Sequence, residues 1–186
     1  MGGITVTAGS IMEDKKYKTI YLDPPWPEYG GGKIVRGAQK HYKLMTIKEI
    51  FDLKSFIVGL TDEQCHLYMW ATNSHIKIAF ELLDYWGFEY KTMITWIKDR
   101  IGLGQYFRGL TEHCLFARRG VLPYKIIEGK RAQGKTGFYA SKTAHSRKPE
   151  EMRKMIELVS YEPRIELFAR ERFEGWDAWG YEVSEI

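Results

Sequence analysis

Apolar positions along the chain follow two rhythms. In KTIYL (18–22), CHLYMWAT (65–72), FEYKTMITWI (88–97), EHCLFAR (112–118) and RIELFAR (164–170) the residues are largely apolar, aromatic or β-branched, which reads as strands. Elsewhere the spacing is helical. SHIKIAFELLDYW (74–86) sets Ile76, Ala79, Phe80, Leu83 and Trp86 on one face, and Gly87 supplies a stop. TIKEIFDL (46–53) opens with the capping pair Thr46 and Glu49. KPEEMRKMIELVS (148–160) carries Pro149 where a first turn tolerates it, then acids, and turns Met152, Met155, Ile156 and Val159 inward. A last short strand is expected over 178–183.

Strands separated by helices predict an α/β fold over a single domain, 1–186. Its central sheet is mainly parallel, with right-handed crossovers and helices on both faces. Such sheets bind ligands at the carboxyl ends of their strands. Asp23 and the ARER segment (169–172) each follow a strand directly, so both are expected on that rim. Three stretches, 27–45, 98–111 and 119–147, show neither rhythm and are rich in glycine, basic and aromatic residues. Loops of that length in a compact domain are usually functional or disordered.

Composition narrows the class. The 186 residues are 44% hydrophobic and 28% charged, a soluble globular profile, and no apolar run approaches a membrane span. MGGITVTAGSIMEDKK lacks the pattern of a secretory signal, and Val6 stands where a myristoylation motif wants Ser or Thr. Cys65 and Cys114 lie in strand-like stretches and read as buried thiols, which points to a reducing, cytoplasmic compartment. The net charge of +4 is modest, but between Arg119 and Lys148 eight basic residues face the single acid Glu128. That stretch reads equally as a solvated loop or as a phosphate-facing surface. No cluster has metal-ligand spacing, and His66 and His113 read as structural. The GLG of IGLGQYFRGL (101–110) precedes a strand and is not a dinucleotide turn.

The densest chemistry is in TIYLDPPWPEYG (19–30). Two prolines in a row lack N–H groups and hold their carbonyls in set directions. An adjacent carboxylate adds a second strong acceptor, so Asp23, Pro24 and Pro25 form a small acceptor cage at a strand end. Trp26 beside them could be a platform for a planar group or simply a buried ring. A flat molecule bearing an NH2 group suits such a cage, because the amine donates twice and the ring stacks.

DPPW (23–26), HYKLM (41–45), WATN (70–73), YWGFEYKTMITWIK (85–98), EHCL (112–115), SRKPEE (146–151), RIELFAR and GWDAWGYE (175–182), in that order, resemble the MT-A-seventy family of S-adenosylmethionine-dependent adenine-N6 methyltransferases. The resemblance implies a Rossmann-like methyltransferase fold with circularly permuted motifs, the catalytic strand first and the cofactor strand near the end. It implies that Asp23 and the Pro24 carbonyl hold the target amine, with Pro25 and Trp26 completing the catalytic turn. Tyr42 would stack the base, with Lys40 and His41 beside it and Arg108 on a phosphate. Asp23, Lys148, Glu166, Phe168, Arg170 and Glu182 would bind S-adenosylmethionine. Lys148 would meet its methionine carboxylate, Arg170 its ribose and Glu182 its adenine.

Tyr181 departs from the family's WGNE, so no amide role is carried there, and the positions after Arg170 also diverge. Little sequence precedes the catalytic strand, which suggests a prokaryotic or phage form and favours DNA over RNA as the nucleic-acid partner. No membrane is expected, and monomer and homodimer both remain open. Two competing expectations are a non-catalytic nucleic-acid-binding partner subunit and an amino-methyltransferase with another target.

Overall fold

The computed structural model describes residues 15–28, 44–102, 104, 106–141, 147–180 and 183. Its strands are β1 (Tyr17–Leu22), β2 (Thr61–Ala71), β3 (Glu89–Lys98), β4 (Thr111–Arg119), β5 (Ile126–Ile127), β6 (Lys130–Arg131), β7 (Gly137–Ala140), β8 (Arg164–Leu167) and β9 (Asp177–Trp179). The α-helices are α1 (Ile47–Asp52), α2 (Lys54–Leu60), α3 (Ile76–Trp86) and α4 (Glu150–Val159). A seven-stranded sheet runs β7-β3-β4-β2-β1-β8-β9. Every pairing in it is parallel except those of β4, which runs against both β2 and β3.

Alternation along the central strands builds two layers. Ile20 and Leu22, Leu67 and Met69, Leu115 and Ala117, and Ile165 and Leu167 face α1, α2 and α3 in one core. Tyr21, Tyr68, Trp70, Ile94, Trp96 and Cys114 face the other way and pack against Met152 and Ile156 of α4. Helices therefore cover both faces, and the middle strands are buried on both sides, as their unbroken apolar runs require. The start of β3 is exposed because β7 pairs only with its end, Thr95 to Lys98.

Local signals act where the sequence places them. Thr46 and Glu49 form a reciprocal capping box at α1. Gly87 closes α3 in the left-handed conformation, φ 82°. Pro149 is the N-cap of α4, one position outside the helix. Both cysteines are buried free thiols.

Three expectations change. The helix of 46–53 is followed at once by α2, whose Ile57 and Leu60 are buried; Gly59 weakens that signal in the sequence. The stretch 119–147 contains the β5–β6 hairpin, turned by Glu128 and Gly129 with positive φ at both, and then the edge strand β7. Two- and four-residue strands are too short to show a period. The last strand ends at Trp179, not 183. No helix among the described residues is long and apolar enough to cross a membrane.

Candidate active site

β1 and β8 are neighbours in register, Leu22 opposite Leu167, although most of the chain lies between them. The residues that follow, Asp23 on one strand and Phe168 on the other, therefore share one rim. β4 runs the opposite way, so its beginning reaches the same rim and delivers Glu112, opposite Trp96.

A line of charge joins these strands. The Lys148 ammonium, from the segment that enters α4, lies 2.8 Å from Asp23 Oδ2 and 3.1 Å from Glu112 Oε2. Lys98, at the end of β3, donates to Glu112 from the other side. The Trp70 ring lies under the Lys148 ammonium at 5.3 Å, and the Trp70 indole N–H donates to the Tyr21 hydroxyl. The Asp23 side chain keeps 28% of its surface, against 14% for Lys148 and 20% for Glu112. Asp23 is thus partly buried and the most solvent-accessible of the three.

The protonation states follow from that enclosure. Burial pushes the Asp23 carboxyl above its ordinary range, and Lys148 and Arg170 oppose the rise without cancelling it. Burial would push Glu112 up too, but Lys148 and Lys98 together outweigh it and hold it below the usual range. Burial would lower Lys148, yet two adjacent carboxylates reverse the sign and keep it firmly protonated.

The proline turn is built from its own backbone. Trp26 N–H donates to the Pro24 carbonyl at 2.8 Å, and Met45 N–H donates to the Pro25 carbonyl at 2.9 Å. A carbonyl oxygen has two lone pairs, so Pro24 retains one for a further donor. The Pro25 carbonyl instead secures the chain where it returns at Met45. Trp26 does not stand open. Its side chain is in the core, 7% exposed, with its indole N–H on the Trp70 carbonyl and its ring stacked on His75 at 5.0 Å. The platform role is therefore corrected: the ring anchors the turn from beneath.

On the β8 side, Phe168 adopts φ 61°, uncommon for a non-glycine residue, and its ring meets Trp179 edge-on at 5.4 Å. The chain passes so close to Gly180 that a Cβ there would lie 2.4 Å from the Ala169 carbonyl oxygen. Glu166 points to the α4 face and pairs with Arg153 at 2.7 Å, while burial holds its carboxyl above the usual range. Arg153 also covers the Phe173 ring at 3.4 Å.

Asp23, Pro24, Lys148, Phe168 and Arg170 are thus gathered on one rim, with Glu166 behind them in an ion pair. Arg108 is exposed on the β3–β4 loop, its Nε donating to the Gly102 carbonyl. Lys40, His41, Tyr42 and Glu182 lie outside the described residues. Glu112 is the site residue that the sequence did not single out. It sits in EHCL, but its place beside Asp23 depends on the reversed direction of β4, which no local pattern encodes. His66 and His113 are held by hydrogen bonds within the fold, His66 to Ser160 and His113 to Thr95 and Asn73. Among the described residues no group of His, Cys, Asp and Glu could hold a metal ion.

The family model for MT-A70 matches residues 17–182, almost the whole chain. The chain belongs to the MT-A70 family. It is 31% identical over 194 residues to the type II methyltransferase M.MunI of Mycoplasma sp, covering 92% of this chain and 79% of that protein. It is 29% identical over 183 residues to the N6-methyladenosine RNA methyltransferase MTA1 of Cryphonectria parasitica, covering 91% of this chain and 52% of that one. Against the human N(6)-adenosine-methyltransferase catalytic subunit METTL3 the identity is 27% over 164 residues, covering 83% and 26%. The chain therefore spans most of M.MunI, about half of MTA1 and about a quarter of METTL3. The resemblance drawn from the motifs and the fold expected from it both stand.

Proposed function

We propose that the protein transfers the methyl group of S-adenosylmethionine to the N6 amine of adenine in DNA. The observation that carries this reading is the partly exposed acid on the rim: Asp23 directly follows β1, beside the tip of β8, with a cation held against it. The donor set suits the cofactor. A zwitterionic amino-acid end needs a cation beside an acid, and Lys148 next to Asp23 is that pair. Arg170, close enough to affect the charge of Asp23, would serve the ribose hydroxyls. When bound, the cofactor supplies a methyl group already activated on a sulfonium.

The residues of the chain orient the acceptor. The lone pair of an adenine amine is drawn into its ring, which makes it a weak nucleophile. The Asp23 carboxylate and the remaining lone pair of the Pro24 carbonyl would take the two amine hydrogens and favour a pyramidal nitrogen. Alignment of two bound partners lowers a barrier by about 7–11 kcal/mol. Asp23 need not be a strong base, because the methylated ammonium is acidic and gives up its proton readily. Opposite charge on Lys148 keeps Asp23 ionised more readily than burial alone would permit.

A base inside a duplex cannot reach this rim, so the target is single-stranded or flipped out at a cost of a few kcal/mol. DNA is favoured because similarity to the type II enzyme spans most of that protein, whereas similarity to the RNA enzymes spans half or less. The test is incubation with labelled cofactor and DNA or RNA oligonucleotides, digestion to nucleosides and identification of the modified base. N6-methyladenine in DNA is expected. Modified cytosine, or label in RNA alone, would replace this reading. Asp23→Asn is expected to cost at least about 100-fold in kcat/KM, the scale of a lost alignment.

A further inference from the structure

The loop between β3 and β4 carries two large aromatic side chains that stand almost wholly in solvent. Tyr106 is 92% exposed and Phe107 93%. Among the described residues they are the two most exposed aromatic rings, ahead of Tyr139 at 80% and Tyr124 at 64%.

The described residues of the loop are tied to one another by hydrogen bonds. Lys98 N–H donates to the Leu110 carbonyl at 2.9 Å, and Gly102 N–H to the Gly109 carbonyl at 2.6 Å. The Arg108 Nε–H donates across the loop to the Gly102 carbonyl at 3.0 Å. At Gly104 a Cβ would lie 2.0 Å from the Phe107 carbonyl oxygen, so the chain is closed against itself there. Two glycines and a guanidinium thus brace a tight structure whose tip presents two rings to solvent. Its position is equally specific. The loop leaves the sheet at Lys98 and rejoins it at Thr111, next to Glu112; Lys98 and Glu112 extend the charge line from Asp23. Between the two strands it carries Arg100 and Arg108 against the single acid Asp99.

We propose that Tyr106 and Phe107 stack on nucleobases flanking the target adenine, with the Arg108 guanidinium on the adjoining backbone phosphate. This rests on the nucleic-acid reading above and names the side chains that grip the strand beside the reacting base. Every base has a π-face, so such a contact is tolerant of sequence, and stacked bases contribute to affinity independently of counterion release. Two arginines on the loop, one directly beside the rings, and the neighbouring rim that carries Asp23 favour nucleic acid over a second copy of the chain as the occupant.

The test uses the full chain, a fluorescein-labelled single-stranded DNA oligonucleotide and fluorescence anisotropy across a series of KCl concentrations. Tyr106→Ala and Phe107→Ala are each expected to weaken binding by about 5- to 100-fold, with the slope of log Kd against log salt unchanged. Phe107→Tyr should restore affinity. Arg108→Ala should instead reduce that slope by about one contact. Calorimetry with S-adenosylmethionine establishes that each variant is folded.

Wild-type affinity in the double alanine variant would overturn the proposal. So would a double variant that turns a dimer into a monomer at unchanged DNA affinity, which would make the loop a self-association surface. A wild-type protein that binds neither DNA nor RNA would defeat the nucleic-acid reading itself. A wild type that binds and methylates while the ring variants match it would defeat only this proposal.

Discussion

Lys148→Met removes the cation between two carboxylates and leaves its aliphatic bulk over Trp70. Glu112 keeps Lys98, whereas Asp23 loses its direct partner. Breaking a buried ion pair by deleting one member costs about 3–5 kcal/mol. Asp23 retains some solvent access, so a cost at or just below that range, about 2–3 kcal/mol, is expected near neutral pH. For a chain of this size that corresponds to a fall in Tm of about 4–12 °C. The pH dependence gives the sharper test. An acid whose folded pKa is raised above its unfolded value binds more protons when folded, so its ionisation weakens the fold as pH rises between the two values. Burial already places Asp23 in that situation, and losing Lys148 raises it further. The stability deficit of the variant should therefore shrink as pH falls and the carboxyl takes up its proton. In the same variant, the acid limb of kcat/KM should move to higher pH. Urea unfolding followed by circular dichroism at two pH values, with a pH–rate profile, measures both effects. An equal deficit at both pH values together with an unmoved acid limb would refute the view that Lys148 sets the charge of Asp23.

Other expectations are simpler. Wild-type kcat/KM should fall on the acid side at a pH above 3.8, the ordinary value for an aspartate, because the proposed role needs the ionised Asp23 to accept the amine hydrogens; an acid limb at or below that value contradicts the role. Gly180→Ala forces a Cβ into the Ala169 backbone and should cost about 1–3 kcal/mol with weakened S-adenosylmethionine binding, measured by thermal melting and calorimetry. His66 is buried, hydrogen-bonded to Ser160 and edge-on to the Phe116 ring, and burial, with Arg118 nearby, lowers its pKa from 6.5 to about 4. The unfolded chain therefore binds the extra proton between those values, and wild-type stability should decline by about 2–3 kcal/mol as pH falls through that window. His66→Gln should flatten that decline in urea titrations; an identical slope in the variant removes His66 as its source.

Much of the fold and part of the site could be read without coordinates. Capping at Thr46 and the stop at Gly87 are local chemistry, and each acts where its residues stand. The strand–acid–proline sequence at 19–25 likewise marks a rim residue, because a proline pair ends a strand wherever it occurs. What stayed hidden depends on contacts between distant segments. Glu112 reaches the site because β4 is reversed, and reversal is a property of pairing, not of spacing. Trp26 was open to two readings because exposure of a ring is decided by what packs on it, here His75 and the Trp70 carbonyl. The β5–β6 hairpin and β7 escaped notice because so few residues each cannot display alternation.

The pairing of β1 with β8 has a consequence during synthesis. Asp23 emerges from the ribosome well before β8, the strand it must lie beside. Until β8 has slotted in next to β1, the rim has only one of its two sides, so the corner that carries Asp23 is assembled by docking of a distant segment and not by local folding.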